Sequence, residues 1–165
     1  MYVIKRTKKG KLLMEKAIYF DMDGTLADFY GVENWLEKLR AFDTSPYKEA
    51  KPLINLQALA HRLNALKRKG YTIGIISWLS AESNAEFDEA TTLAKLEWLN
   101  THLRSVKFDE IHIVAYGEKK STLANRKGGL LFDDNMRVRK EWTKNSQGGW
   151  ACSEKNILAV LEQLK

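Results

Sequence analysis

The apolar positions of the chain fall into short unbroken runs, separated by longer stretches with helical spacing. The first run, Ala17 to Phe20, stops at the acidic turn DMDGT, as a buried strand ending at a loop does. Between Leu26 and Pro52 the pattern is mixed. Trp35, Leu36, Leu39 and Phe42 keep helical spacing and Thr44-Ser45-Pro46 reads as a breaker, so a small helical insertion is expected at about 27 to 52. Asn55 then caps a helix with the apolar face Leu56, Leu59, Leu63 and Leu66, closed by basic residues and Gly70. Tyr71 to Ser77 is a continuous apolar strand. A second helix, about Asp88 to Leu103, presents Leu93, Leu96, Leu99 and Leu103 on one side with Trp98 flanking. Further strands are expected at Ile111 to Ala115, at Gly129 to Phe132 and near Trp150. Ser153 is expected to cap a closing helix that turns Ile157, Leu158 and Leu161 inward.

Strands that are apolar throughout and alternate with helices predict a three-layer α/β domain with a mostly parallel sheet. Ligands of such sheets collect beyond the carboxyl ends of the strands. The polar residues that follow each predicted strand would gather at that one edge: Asp21 and Asp23, Ser77, Lys119 or Lys120, and Asp133 with Asp134.

Composition bounds this picture. At 165 residues with 44% apolar content, the chain is about one domain long. Its apolar runs are far shorter than the roughly 20 residues of a membrane span, and the basic start resembles no secretory signal. Cys152 is the only cysteine, so no internal disulfide and no cysteine-cluster metal site is possible, and a cytoplasmic location is expected. The net charge of +6 is concentrated: residues 1 to 16 hold six basic side chains against Glu15, a net of +5. They are expected to form a basic arm or a hairpin turning at Lys9-Gly10, with 17 to 165 as the main domain. Such an arm reads as a solvated extension, or as a means of steering phosphorylated or nucleic-acid ligands.

The strand-end residues match the needs of phosphoryl transfer: a nucleophile, a proton carrier, a divalent cation and positive donors. Asp21 can attack phosphorus as a carboxylate. Asp23, two residues on, points the same way and can protonate the leaving oxygen and later deprotonate water. Asp21, the backbone carbonyl of Asp23, and Asp133 offer hard oxygen ligands suited to Mg²⁺, and Asp134 can orient the lysine or a metal water. Ser77 and a lysine would bind phosphoryl oxygens, and Thr25 could add a hydroxyl. Read by residue type alone, Phe29, Trp35 and Phe42 are packing residues. Trp78 either lines the entrance or plugs the sheet edge. Arg137, Arg139 and Lys140 form a charged helix face. His61, His102 and His112 make no catalytic or metal pair.

DMDGTL at 21 to 26, the serine ending TIGIIS, a downstream lysine, and LLFDD at 130 to 134 resemble the four motifs of the haloacid dehalogenase superfamily. Its members have a Rossmann-like fold, and the paired aspartates imply phosphate chemistry rather than dehalogenation. DMDGTLADF, KLEWLNTHL, FDEIHIV, a lysine followed by serine, and LLFDD are similar in order and wording to the 5'(3')-deoxyribonucleotidases. That resemblance implies a magnesium-dependent phosphatase acting on a nucleotide through an aspartyl phosphate. It nominates Phe29 for contact with the base and favours Lys120, followed by Ser121, as the active-site lysine. The insertion is shorter than that family's cap, Trp78 stands where the family has a small hydroxyl residue, and Glu118 where it often has a basic one. Two other readings share the same fold: a 3'-phosphatase of nucleic-acid ends, and a binding protein that holds a nucleotide or metabolite without turnover.

Overall fold

The computed structural model describes residues 15–165, so the expected hairpin at Lys9-Gly10 lies outside the described residues. Five strands form one wholly parallel sheet within that range: β1 (Ala17–Phe20), β2 (Thr72–Trp78), β3 (Glu110–Val114), β4 (Leu130–Phe132) and β5 (Trp150–Cys152), in the order β3-β2-β1-β4-β5. β1 lies at the centre. Every residue of β1 and β4 is buried, because helices cover both faces.

Alternation along the strands sorts side chains between the two layers. Ile18 and Phe20 of β1, Ile73 and Ile75 of β2, and Leu130 and Phe132 of β4 face α3 (Leu56–Arg68), α4 (Ala85–His102) and α7 (Ile157–Glu162). Phe20 and Phe132 stack at 5.2 Å between ring centres. On the opposite face, Tyr19, Ile76 and Leu131 pack with Val138 and Trp142 of α6 (Met136–Asn145) and with Ala124, just after α5 (Lys120–Leu123). No helix among the described residues is long and apolar enough to cross a membrane.

Residues 27–52 form an insertion above the carboxyl edge. Pairing of Ala27 with Pro52 closes its base, and it carries α1 (Trp35–Arg40) and α2 (Ser45–Glu49). Ser45-Pro46 does not break a helix here but starts one, since proline is tolerated in the first turn, where its missing N–H has no intrahelical partner. The actual stop is Phe42, at φ 55°. Trp98 of α4 donates its indole N–H to Ala50 O at 2.7 Å, which ties the insertion down.

α4 also departs from expectation. Leu99, Leu103 and the flanking Trp98 are buried as expected, but Leu93 is 61% exposed and Leu96 38%, whereas Thr91, Ala94 and Lys95 are buried. The helix is rotated so that Lys95 meets a carboxylate beneath the insertion, and the outer leucines are left to solvent. At the chain's end the Ser153 side chain makes no cap bond; a short 3-10 turn, Glu154–Asn156, leads into α7.

Candidate active site

Chain direction across the sheet reverses beside β1: β2 and β3 lie on one side, β4 and β5 on the other. The crevice beyond the carboxyl ends of β1 and β4 is therefore the switch point of the fold. Asp21 ends β1 and Asp133 ends β4. Each continues its ladder by one bond, Asp21 N to Phe132 O at 2.9 Å and Asp133 N to Cys152 O at 3.1 Å. Their side chains thus inherit the rigidity of the sheet.

Lys120, the first residue of α5, reaches between them. It is 2% exposed, and its ammonium donates to Asp21 Oδ1 and to Asp133 Oδ2, each at 2.7 Å. A lysine ammonium has three N–H donors, so one remains beyond these two bonds. The ring of Trp78 lies 5.3 Å from the ammonium, and the backbone and hydroxyl of Ser121 bond Glu141 of α6, anchoring the short helix. Burial alone would push the Lys120 ammonium down, but the charges of Asp21 and Asp133 outweigh it and hold the group above its ordinary range. Lys119 is exposed and lies off the cavity lining.

The Asp133-Asp134 turn is fastened from behind. Arg139 donates from one Nη1 to Asp133 O and Asp134 O, both at 2.8 Å, so it serves the turn instead of standing free on the charged helix face. Asp133 Oδ1 accepts from Asn135 N at 2.9 Å. Thr25, expected to contact substrate, is fully buried. Its hydroxyl oxygen accepts from Asp134 N at 3.1 Å, so it holds the turn in place. Gly24, at φ +76°, lets these loops close up. A Cβ there would stand 2.6 Å from Asp134 Oδ2 and 2.8 Å from the Tyr30 ring.

One carboxylate oxygen from each of Asp21, Asp133 and Asp134 lies within 4.8 Å of the others. Hard oxygen donors this close suit a divalent cation such as Mg²⁺, with Asp21 and Asp133 also neutralised by Lys120. Burial, then the charge of Asp21, raises Asp133 to about 7 and Asp134 to about 6. Asp23 is also raised, by burial first and by Asp21, against the opposing pull of Lys95.

Lys95 is the residue that sequence reasoning missed. It is 1% exposed and donates to Asp23 Oδ2 at 2.6 Å, Trp78 O at 2.7 Å and Ser77 Oγ at 2.9 Å. Ser77 is itself fully buried and off the cavity lining. The hints in the sequence are the spacing of Thr91, Ala94, Lys95 and Trp98, which marks one helix face, and the place of Lys95 as the first residue of KLEWLNTHL.

Over these groups opens a cavity of about 390 Å³ with Asp21, Asp23, Lys120, Asp133 and Asp134 at its floor. Aromatic rings make its walls. Trp78 and Tyr116 pack at 5.0 Å on one side, and Tyr30 and Trp35 at 5.1 Å on the other. Phe29 lines it too but is 3% exposed, stacked on Tyr47 at 4.6 Å, whereas Tyr30 is 52% and Tyr116 59% exposed.

No family model and no curated protein matches the sequence. Solved structures do match its fold. D,D-heptose 1,7-bisphosphate phosphatase from B. bronchiseptica, complexed with magnesium and phosphate, superposes with a TM-score of 0.57 at 17% identity. The enzyme of that name from Burkholderia Thailandensis gives 0.52 at 15%. Both alignments cover 90% of this chain and 97% of the other. The chain has the haloacid dehalogenase-like α/β fold of these phosphatases.

Proposed function

We propose that the protein is a magnesium-dependent phosphomonoester hydrolase that works through an aspartyl phosphate on Asp21, with a nucleotide as its substrate. One observation carries the reading: Asp21, Asp23, Lys120, Asp133 and Asp134 meet at the floor of a single aromatic-walled cavity. The fold neighbour complexed with magnesium and phosphate supports the same chemistry.

Asp21, at the rigid end of β1, attacks phosphorus, and the ester oxygen departs with a proton from Asp23. Asp23 then takes a proton from water, whose oxygen displaces Asp21 and releases orthophosphate. Burial raises the Asp23 carboxyl above its ordinary value, the direction a proton carrier requires. Lys120 directs its remaining N–H at a phosphoryl oxygen, and its bonds to Asp21 and Asp133 keep that donor aimed. Asp21, Asp133 and Asp134 would hold Mg²⁺, with the backbone carbonyl of Asp23 as a further ligand; bound there, the cation neutralises phosphoryl charge. The walls favour a flat, stackable leaving group over a compact polar one. Tyr30, Phe42 and Tyr116 line the cavity with rings exposed enough to meet a base, and Phe29 supports Tyr30 from beneath.

Phosphate release should be measured with Mg²⁺ and with a chelator on nucleoside 5'- and 3'-monophosphates, a 3'-phosphorylated oligonucleotide and a sugar bisphosphate. Metal-dependent turnover of mononucleotides is expected. Turnover of the oligonucleotide or the sugar ester alone would replace the nucleotide assignment. Tight nucleotide binding with no phosphate released from any ester would replace the hydrolase by a binding protein.

A further inference from the structure

Two lysines are buried at this site, and their bonds differ in a way that separates their roles. Lys120 reaches the cavity and gives two of its three N–H donors to carboxylates. Lys95 reaches no cavity surface and gives three, to Asp23 Oδ2, Ser77 Oγ and Trp78 O. An ammonium with every donor engaged has none left for a substrate. Its distances of 2.6, 2.9 and 2.7 Å leave no slack in that arrangement.

We propose that Lys95 is a positioning residue for Asp23, fixing the carboxylate by Oδ2 so that Oδ1 faces the leaving group in the cavity. The proposal rests on the hydrolase reading above and deepens it. Asp23 sits on a loop after the end of β1, where the ladder no longer fixes side chains. Its carboxylate has 19% exposure on the cavity side, and among the described residues its side-chain hydrogen bond goes to Lys95 alone. Lys95 is steadied in turn by β2, through the Trp78 carbonyl and the buried Ser77 hydroxyl, and by the Tyr47 ring 5.1 Å away. Since an ammonium only donates, Ser77 Oγ must accept here, so this serine links Lys95 to the sheet. Tyr47 belongs to α2 and Lys95 to α4, so the insertion and the core meet on the proton carrier.

The test compares kcat/KM for p-nitrophenyl phosphate, whose leaving group departs without a proton, with that for glycerol phosphate, whose alkoxide needs one. The enzyme is held at saturating Mg²⁺. Lys95→Met should lose roughly 100-fold or more on the alkyl ester and about tenfold or less on the aryl ester, as expected when a general acid worth about 10²–10⁴ is misplaced. Lys95→Arg should recover part of the alkyl activity. An equal loss on both esters would overturn the positioning role while leaving the hydrolase reading in place. Wild-type protein inert toward every ester would remove both. Lys95→Met leaves Asp23 buried without its cation, so the double variant Asp23→Asn/Lys95→Met, which removes both charges, is the companion. It should show the same ratio of alkyl to aryl rates as Asp23→Asn alone, and a further loss confined to the alkyl ester would count against action through Asp23.

Discussion

The ammonium of Lys120 stands 2.7 Å from Asp21 Oδ1 across 99 residues of sequence, and the same ammonium reaches Asp133 at the same distance. This one cation joins the ends of the two strands that flank the switch point. Lys120→Met would leave two carboxylates facing each other in a buried space. Breaking such a pair costs about 3–5 kcal/mol, with the lower end expected because Asp133 can take up a proton near neutral pH. Thermal unfolding of the variant should show a clear loss without metal and a larger gain from added Mg²⁺ than the wild type shows.

Asp21→Asn tests the nucleophile. The change is nearly isosteric, and Lys120 keeps its bond to Asp133, so circular dichroism should show an unchanged fold. Phosphate release should fall to background on every ester, because a neutral amide does not form the acyl phosphate. Near-normal turnover would exclude Asp21 from that role.

Much of this candidate site is legible in the sequence. Strands buried on both faces are apolar throughout, and the polar residue that ends each of them stands out, which is why Asp21, Asp133 and Asp134 were legible. α4 was legible in part. Of its leucine stripe Leu99 and Leu103 are buried, yet Leu93 is exposed and Lys95 buried against a carboxylate 72 residues away, a pairing that no local pattern encodes. Arg139 read as a surface charge for the same reason: its partners are backbone carbonyls, which sequence does not display. Phe29 was legible as an aromatic near the site. Its burial under Tyr30 and Tyr47 depends on how the insertion folds back.

Metal affinity should depend on pH. Asp133 at about 7 and Asp134 at about 6 lie above the ordinary carboxyl value near 3.9. Between about pH 4 and pH 7 the metal-free folded chain therefore holds more protons on these groups than the unfolded chain. Their contribution to stability accordingly rises as pH falls through that window. Mg²⁺ requires the ionised forms, so its binding should release protons and weaken by roughly tenfold or more from about pH 8 to about pH 6. Calorimetry in two buffers of different ionisation enthalpy measures both effects. A pH-independent affinity would show that these carboxylates are not the ligands.

Arg139→Gln should loosen the turn that carries Asp133 and Asp134 without touching a ligand atom. Loss of an outer partner typically costs about 10–100-fold in metal affinity. The expected result is a shift of the Mg²⁺ activation curve to higher concentration, with kcat recovered at saturation. A lower kcat that no amount of Mg²⁺ restores would mean that Arg139 acts on the reacting groups themselves.

The aromatic walls give the substrate assignment its own test. Tyr116 is 59% exposed at the cavity and packs on Trp78, and the hydrogen bonds of Lys120 go to Asp21 and Asp133, not to this ring. Tyr116→Ala should therefore leave the carboxylates and Lys120 undisturbed. Stacking of a base on one ring contributes about 1–3 kcal/mol, so KM for a mononucleotide should rise by about five- to 150-fold. For p-nitrophenyl phosphate, with its smaller ring, the rise should be less, and for glycerol phosphate it should vanish. Tyr30→Ala is a poorer probe, because the Tyr30 ring lies over Gly24 and its loss would also disturb the Asp134 turn. If Tyr116→Ala raised KM equally for glycerol phosphate and the mononucleotide, that wall would be shaping the cavity in general and the case for a base against it would be lost.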